Sequence, residues 1–424
     1  MFELLEIIDS LFWEYIGFIL IVSAGAYLTF KTKAKQFRAL SQFSANIKEI
    51  YSASKDNIDI GVNPLKLYFA SVGGMVGLGN IVFISMAVML GGPGVIFWMW
   101  IASFAGMLLK YAEIYLGVKY RVRDKKNSYH GGPMYFLQEA FQSRYVALTF
   151  ACLMAFYGVL VNRIESTFKF DRNLIICVML IITIYSALGG IRRLSNICSV
   201  MMPPFMLIYV IACLYIIGSH IDILPQTLVL IFTSAFNGQA AIGGFAGSSL
   251  LWAAYMGTSK AVYSGDIGIG YDSIVQSETR IMQPQKQAIL AIYALFTDTI
   301  ICTMTTLIVV ISDAWRNMNH LPVEDVIEKI LGIYFPYMDY FMTILLFFAA
   351  FTTIIAYLTA GVKCAIFINY KYGKRIYLLF AICSFIFFSF YPPEKVVLVM
   401  SVASGFLVLL NICGILKLRN KIQF

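Results

Sequence analysis

Long apolar runs, separated by short stretches rich in lysine, arginine, asparagine and glycine, organise this chain from end to end. The runs are continuous and do not alternate apolar with polar positions, so they predict helices and not the strands of a transmembrane barrel. Taking a span as roughly 20 mostly apolar residues gives about eleven. They fall near residues 11–30, 65–90, 94–118, 145–162, 173–189, 201–219, 227–256, 286–312, 339–366, 375–391 and 396–416. The expected fold class is an all-α integral membrane protein of about eleven transmembrane helices.

Two spans carry the wrong residues for an unbroken helix. The second contains Gly73, Gly74, Gly77 and Gly79, and the seventh contains Gly238, Gly243, Gly244 and Gly247. Each glycine inside a helix costs about 1 kcal/mol relative to alanine, which favours unwinding at mid-membrane. Taken singly, either run could equally serve close helix packing through small residues. Their spacing favours a break. With the first span set aside, they are the first and sixth of ten helices, the arrangement of an inverted-topology repeat with a site between two discontinuous helices. The expected units are 1–63, an extra transmembrane helix and a basic loop, then a five-helix repeat over 64–219 and its inverted partner over 220–424.

Composition supports a lipid environment: 60% of the residues are hydrophobic, 13% are charged and mean hydropathy is +0.78. The net charge of +9 does not point to nucleic acid, because the bases sit in short loops and form no stripe interleaved with aromatics. They crowd alternate loops: Lys31, Lys33, Lys35 and Arg38; Lys119, Arg121, Arg123, Lys125 and Lys126; Arg192 and Arg193; Lys371, Lys374 and Arg375; and Lys417, Arg419 and Lys421. By the positive-inside rule this places the N-terminus outside and the C-terminus in the cytoplasm. Glu3, Glu6, Asp9 and Glu14 stand where a signal peptide would be basic, so the first span is expected to remain. The eight cysteines form no C-x-x-C pair and read as small apolar packing residues. His130, His220 and His320 lie far apart and read as solvated, which gives a metal centre no support.

An unwound stretch at mid-membrane leaves amides and carbonyls that lipid cannot satisfy. A zwitterion answers both, its carboxylate at free N–H groups such as those of Leu78 and Gly79, its ammonium or a desolvated Na⁺ at free carbonyls. Asn80 offers donors and an acceptor to solute or ion. Thr352 and Thr353, in the ninth span, provide hydroxyl oxygens for a cation, although paired threonines also bond their own helix carbonyls. Asp298 is the clearest functional carboxylate within a span, with Asp266 a second candidate for coupling. Lys110 and Glu113, three apart on one helix face, predict a structural ion pair. No catalytic triad, nucleotide loop or cluster of His, Asp, Glu, Ser or Cys at one depth supports an enzyme, and broken helices fit alternating access better than a continuous pore. Neither an organic cofactor nor an obligate protein partner is implied; the lipid bilayer is.

These residues resemble the alanine or glycine:cation symporter family of bacteria and archaea. The matching stretches are Val76-Gly-Leu-Gly-Asn-Ile81, Leu90-Gly-Gly-Pro-Gly94, Phe97-Trp-Met-Trp100, Gly131-Gly-Pro-Met-Tyr135, Gly189-Gly-Ile-Arg-Arg193, Gln239-Ala-Ala-Ile-Gly-Gly-Phe-Ala-Gly247, Asp298-Thr-Ile-Ile-Cys-Thr-Met-Thr305 and Ala350-Phe-Thr-Thr-Ile354, in the family's order. The resemblance implies the leucine-transporter fold in a cell membrane and symport of alanine or glycine with Na⁺. It also implies Na⁺ held by the carbonyls of Gly73, Val76 and Ala349 and the hydroxyls of Thr352 and Thr353. The solute would lie among Gly74, Met75, Gly77, Leu78, Gly79 and Asn80 on one side and Gln239, Gly243, Gly244 and Phe245 on the other, closed by Asn162 and Tyr357. The pocket departs from the family: Met75 and Leu78 replace two threonines, Asn162 a glutamine, Tyr357 a tryptophan, and S-N-E-A-G-L-G reads Ser264-Gly-Asp-Ile-Gly-Ile-Gly270. A proton-coupled or exchanging permease of the same fold, titrating at Asp266 or Asp298, is the alternative.

Overall fold

The computed structural model of the protein describes residues 2–53, 60–77, 79–124, 128–165, 185, 189–237, 250–318, 321–388 and 393–424. Helix α1 (Phe2–Lys31) is followed by two short helices, α2 (Lys35–Ser41) and α3 (Phe43–Ala53). Then come α4 (Pro64–Met75), α5 (Gly79–Gly91) and α6 (Val95–Lys119). A small hairpin, β1 (Val122–Arg123) with β2 (Tyr129–His130), leads to α7 (Pro133–Phe141), α8 (Arg144–Glu165), α9 (Gly190–Ser219) and α10 (Leu224–Asn237). The remainder is α11 (Leu250–Gly265), α12 (Tyr271–Gln276), α13 (Pro284–Ile311), α14 (Ala314–Asn317), α15 (Val323–Tyr334), α16 (Met338–Ile368), α17 (Gly373–Phe388) and α18 (Pro393–Lys417).

Seven of these helices are long and apolar enough to cross a membrane, and α4 with α5 make an eighth if counted as one bent span. The hydropathy boundaries shift for a physical reason. Helix α1 begins at Phe2, not near residue 11, because its acidic first turns mask a helix that continues through them. Helix α9 begins at Gly190, not near residue 201, because Arg192, Arg193, Ser195 and Asn196 are polar but still helical. The expected span at 173–189 lies outside the described residues except for Tyr185 and Gly189. The seventh expected span is seen as α10 and α11, and the glycine run between them also lies outside the described residues.

Helices in lipid gain little from the hydrophobic effect between themselves, so close backbone approach matters more. At the start of α6 a Cβ on Gly94 would overlap the backbone of Ser234 and Ala235 on α10. A Cβ on Gly257 of α11 would lie 2.5 Å from the Val95 carbonyl. These contacts seat α10 and α11 against α6, while α8 packs on α16 and α4 on α9.

The β1–β2 hairpin is anchored by Arg121, which donates to the carbonyls of Ser277 (2.9 Å), Thr279 (2.6 Å) and Ile281 (2.9 Å) and lies 3.7 Å over the Tyr129 ring. Burial lowers this guanidinium to about 10, so it stays charged at neutral pH. His130, expected to be solvated, is buried here at 9% exposure, 3.4 Å from Asp124 and beside Lys363, which pairs with Glu278. The hairpin folds its ring under the bundle, a tertiary effect with no local sequence signal. Of the cysteines, Cys198, Cys213, Cys302 and Cys364 are buried as expected, whereas Cys152, Cys383 and Cys413 are exposed.

Candidate functional site

The first glycine run is a break. Asn63 caps α4, accepting from Leu65 N at 2.9 Å with Pro64 in the first turn. The helix stops at Met75, Val76 leaves helical geometry, and α5 departs at 51° to α4. Asn80 closes the break from the far side: its Oδ1 accepts from Gly77 N at 3.3 Å. Helix ends leave carbonyls without intrahelical partners. One of them, Gly73 O, accepts from Thr353 Oγ1 on α16 at 3.3 Å.

Thr352 Oγ1 meanwhile donates to Ala349 O (3.0 Å) and Phe348 O (3.1 Å) of its own helix. Thr353 thus joins the Gly73 carbonyl across the broken helix and α16, while the neighbouring Thr352 hydroxyl is taken up by the Ala349 and Phe348 carbonyls within α16. These oxygens suit a monovalent cation, to which they offer dipoles without a formal charge that would bind it too firmly to release. Val76 is buried at the same break, its amide bonded to Val72 O at 2.7 Å. Gly73 is a glycine for packing too, since a Cβ there would lie 2.7 Å from Cys198 Sγ on α9.

Gly74 faces the opposite wall, where a Cβ would overlap the ring of Tyr271. That tyrosine donates from its hydroxyl to Ala70 O at 2.6 Å and packs against Tyr357 with ring centroids 4.7 Å apart and planes tilted by 31°. Tyr357 also meets Tyr157 edge-on and points its hydroxyl at Asp266 Oδ1, 3.4 Å away. Asn80 donates to Asp298 Oδ1 at 2.6 Å and Cys302 Sγ at 3.1 Å, Ser264 donates to Asp298 Oδ2 at 3.1 Å, and Thr305 donates to Asn80 O at 2.8 Å. The broken helix is therefore tied to α13 through a fully buried carboxylate. Gly79 lies against Tyr263, whose ring a Cβ would meet at 3.1 Å.

The expected Lys110–Glu113 pair is not formed. Lys110 Nζ lies 3.3 Å from Asp272 Oδ2 and 3.8 Å from Asp266 Oδ2, and donates to Gly265 O (2.5 Å) and Met75 Sδ (2.7 Å). The end of α11, the turn after it and the start of α12 bring a carbonyl that accepts from the ammonium and two acids within ion-pair range, so the lysine is engaged there and not by Glu113, three residues along α6. Asp266 and the Ser264–Gly270 stretch are legible in the sequence, whereas Asp272, Tyr271, Tyr157, Cys302 and Thr305 take their places at the site only through the fold. The only local hint to the Tyr271 wall is Gly270, whose φ of +109° marks a sharp turn. Leu78, Gln239, Gly243, Gly244 and Phe245 lie outside the described residues, as does the Asn162 side chain.

The sequence pattern described as the sodium:alanine symporter family matches residues 1–423. An uncharacterised transporter of Haemophilus influenzae is 31% identical, over 99% of this chain and 94% of the relative. The sodium/alanine symporter AgcS of Methanococcus maripaludis is 27% identical, over 99% of this chain and 95% of its own length. The probable sodium/glutamine symporter GlnT of Bacillus subtilis is 27% identical, over 100% and 89%. A match along almost the whole chain, together with its membrane-crossing helices, means that this multi-pass membrane protein belongs to the sodium:alanine symporter family.

Proposed function

We propose that the protein takes up a small neutral amino acid with Na⁺ by alternating access, the N-terminus outside and the C-terminus in the cytoplasm of a bacterial or archaeal cell. The observation that carries this reading is the Gly73 carbonyl joined to the Thr353 hydroxyl at the end of a broken helix. Na⁺ would sit among those oxygens, the Val76 and Ala349 carbonyls and the Thr352 hydroxyl. The solute would occupy the adjoining space between Gly74, Met75, Gly77, Leu78, Gly79 and Asn80 on one side and Gln239, Gly243, Gly244 and Phe245 on the other, closed by Asn162 and Tyr357 from neighbouring helices. Ion and solute then stabilise each other's binding, and each charge moved inward adds about 2.3 kcal/mol per 100 mV of membrane potential. Alanine and glycine are the first solutes to test, with glutamine added because GlnT is a relative.

Proteoliposomes measure this directly. Uptake of labelled alanine, glycine or glutamine should require Na⁺ and vanish in K⁺ or choline. Thr353→Val should raise the half-saturating Na⁺ concentration about tenfold, the effect of losing ~1.5 kcal/mol from one oxygen contact to a charge. Equal uptake in choline would overturn Na⁺ coupling. The direct hydrogen bond from Asn80 to Asp298 favours a second reading, proton coupling through Asp298 or Asp266. Uptake driven by a pH gradient in the absence of Na⁺, and abolished in Asp298→Asn, would establish that reading instead.

A further inference from the structure

We infer that the protein binds one anionic phospholipid at the basic end of α1, its phosphate among Lys31, Lys33, Lys35 and Arg38 and its acyl chain in a groove between α1, α6 and α13. The headgroup cavity, about 470 Å³, is lined by these four bases with Ile289 and Phe424. Among the described residues none of the four pairs with a carboxylate. Lys31 Nζ donates to Arg419 O at 3.1 Å, Arg38 donates to Thr32 O at 2.7 Å, and Lys35 Nζ lies 5.1 Å over the Tyr111 ring. The nearby acid on α3, Glu49, is engaged by Lys286 at 3.0 Å. Burial, with Arg38 beside it, holds the Lys35 ammonium below its ordinary value.

Crowding is imposed by the backbone. Lys33 and Ala34 both have left-handed φ, +51° and +54°, and turn the chain sharply from α1 into α2 so that three lysines converge. Directly beside this cavity runs an apolar groove of about 680 Å³, lined by Val22, Phe30, Trp100, Phe104, Phe296 and Met304 among others. Its threonine hydroxyls are satisfied internally: Thr29 donates to Gly25 O, Thr299 to Leu295 O and Thr303 to Thr299 O, and Thr303 accepts from the Trp100 indole. Ser103 Oγ has no hydrogen-bond partner among the described residues and is the one polar side chain of the lining left unpaired. Apart from it, the groove presents hydrocarbon. Helix α1 contributes Val22, Ala26, Thr29 and Phe30 to the groove and its last residue, Lys31, to the basic cavity, which Thr32 and Lys33 of the following turn continue, and α13 contributes Phe296 to the groove and Ile289 to the cavity. Along either helix the order is apolar, then cationic, which matches an acyl chain followed by a phosphate. Bases next to a bilayer attract anionic headgroups, and a cavity between helices makes that attraction specific.

The test uses the full chain in nanodiscs and in detergent. Native mass spectrometry should show phosphatidylglycerol retained about tenfold better than phosphatidylcholine. Lys31→Gln, Lys33→Gln and Lys35→Gln together should abolish that preference while phosphatidylcholine binding and thermal stability in phosphatidylcholine stay unchanged. A matched triple at Lys371, in the loop after α16, and Lys374 and Arg375, in the first turn of α17, should leave the preference intact. Equal retention of both lipids by the unaltered protein, or equal losses in the two triples, would overturn the site in favour of a diffuse surface field. Full competition by millimolar inorganic phosphate or glycerol 3-phosphate would overturn the lipid as the occupant.

Discussion

At Gly74 one hydrogen atom decides how two walls of the site meet. The Tyr271 ring lies so close that any Cβ would overlap it, and the ring is held from both ends, by Ala70 O and by Tyr357. Because neither neighbour can yield freely, Gly74→Ala should destabilise the protein by about 1–3 kcal/mol, as overpacking does in other well-packed interiors. Reversible unfolding in mixed sodium dodecyl sulfate micelles would read the change. In a Tyr271→Leu background the same substitution should cost less than half as much; an equal cost in both backgrounds would rule out the ring as the cause. Thr353 shows the opposite relation between sequence and contact. A paired threonine could have bonded only its own helix, as Thr352 does, and the structure turns Thr353 to the Gly73 carbonyl of another helix instead.

At the scale of elements, the break between α4 and α5 was readable in advance because glycine cost is local and large enough to register over a few residues. What replaces the lost helical bonds was not readable. Asn80 was assigned to solute or ion, and in the structure both ends of its amide are occupied, Oδ1 by Gly77 N and Nδ2 by Asp298. The break is thus held from inside the protein, by a residue 218 positions away in sequence. Asn80→Ala should cost about 2–3 kcal/mol, since it removes a partner from a buried charged group. Asp298→Asn, which keeps the shape without the charge, should cost less, and the double-mutant coupling should exceed about 1 kcal/mol. Additive losses in the same micelle assay would mean that the two residues support the fold separately.

For the whole molecule, the central electrostatic fact is one lysine among three acids at zero exposure: Lys110 with Asp266, Asp272 and Glu113. The cluster joins α6 to the end of α11, the turn after it and the start of α12, and through Met75 it touches the broken helix. Removing one partner of a buried ion pair leaves an uncompensated charge, whereas removing both together is far milder. Lys110→Met should therefore destabilise by about 3–5 kcal/mol, and adding Asp272→Leu should restore a substantial part. Failure of the second change to restore stability would show that Lys110 acts through Gly265 O and Met75 rather than through the acid.

The sequence by itself determined the solvent, the helical class, most of the spans, one break and the family, because each depends on composition or on residues adjacent along the chain. Hydropathy needs only a window, glycine cost only a segment, and a motif only its own order. The tertiary structure alone decided the partners: Asp298 for Asn80, Tyr271 for Gly74, and Asp272 in place of Glu113 for Lys110. Those choices depend on which side chains the fold brings within about 3 Å, where hydrogen bonds and buried charges gain or lose most of their energy. A helix face at spacing three or four can propose a neighbour, but it cannot exclude a better one arriving from another helix.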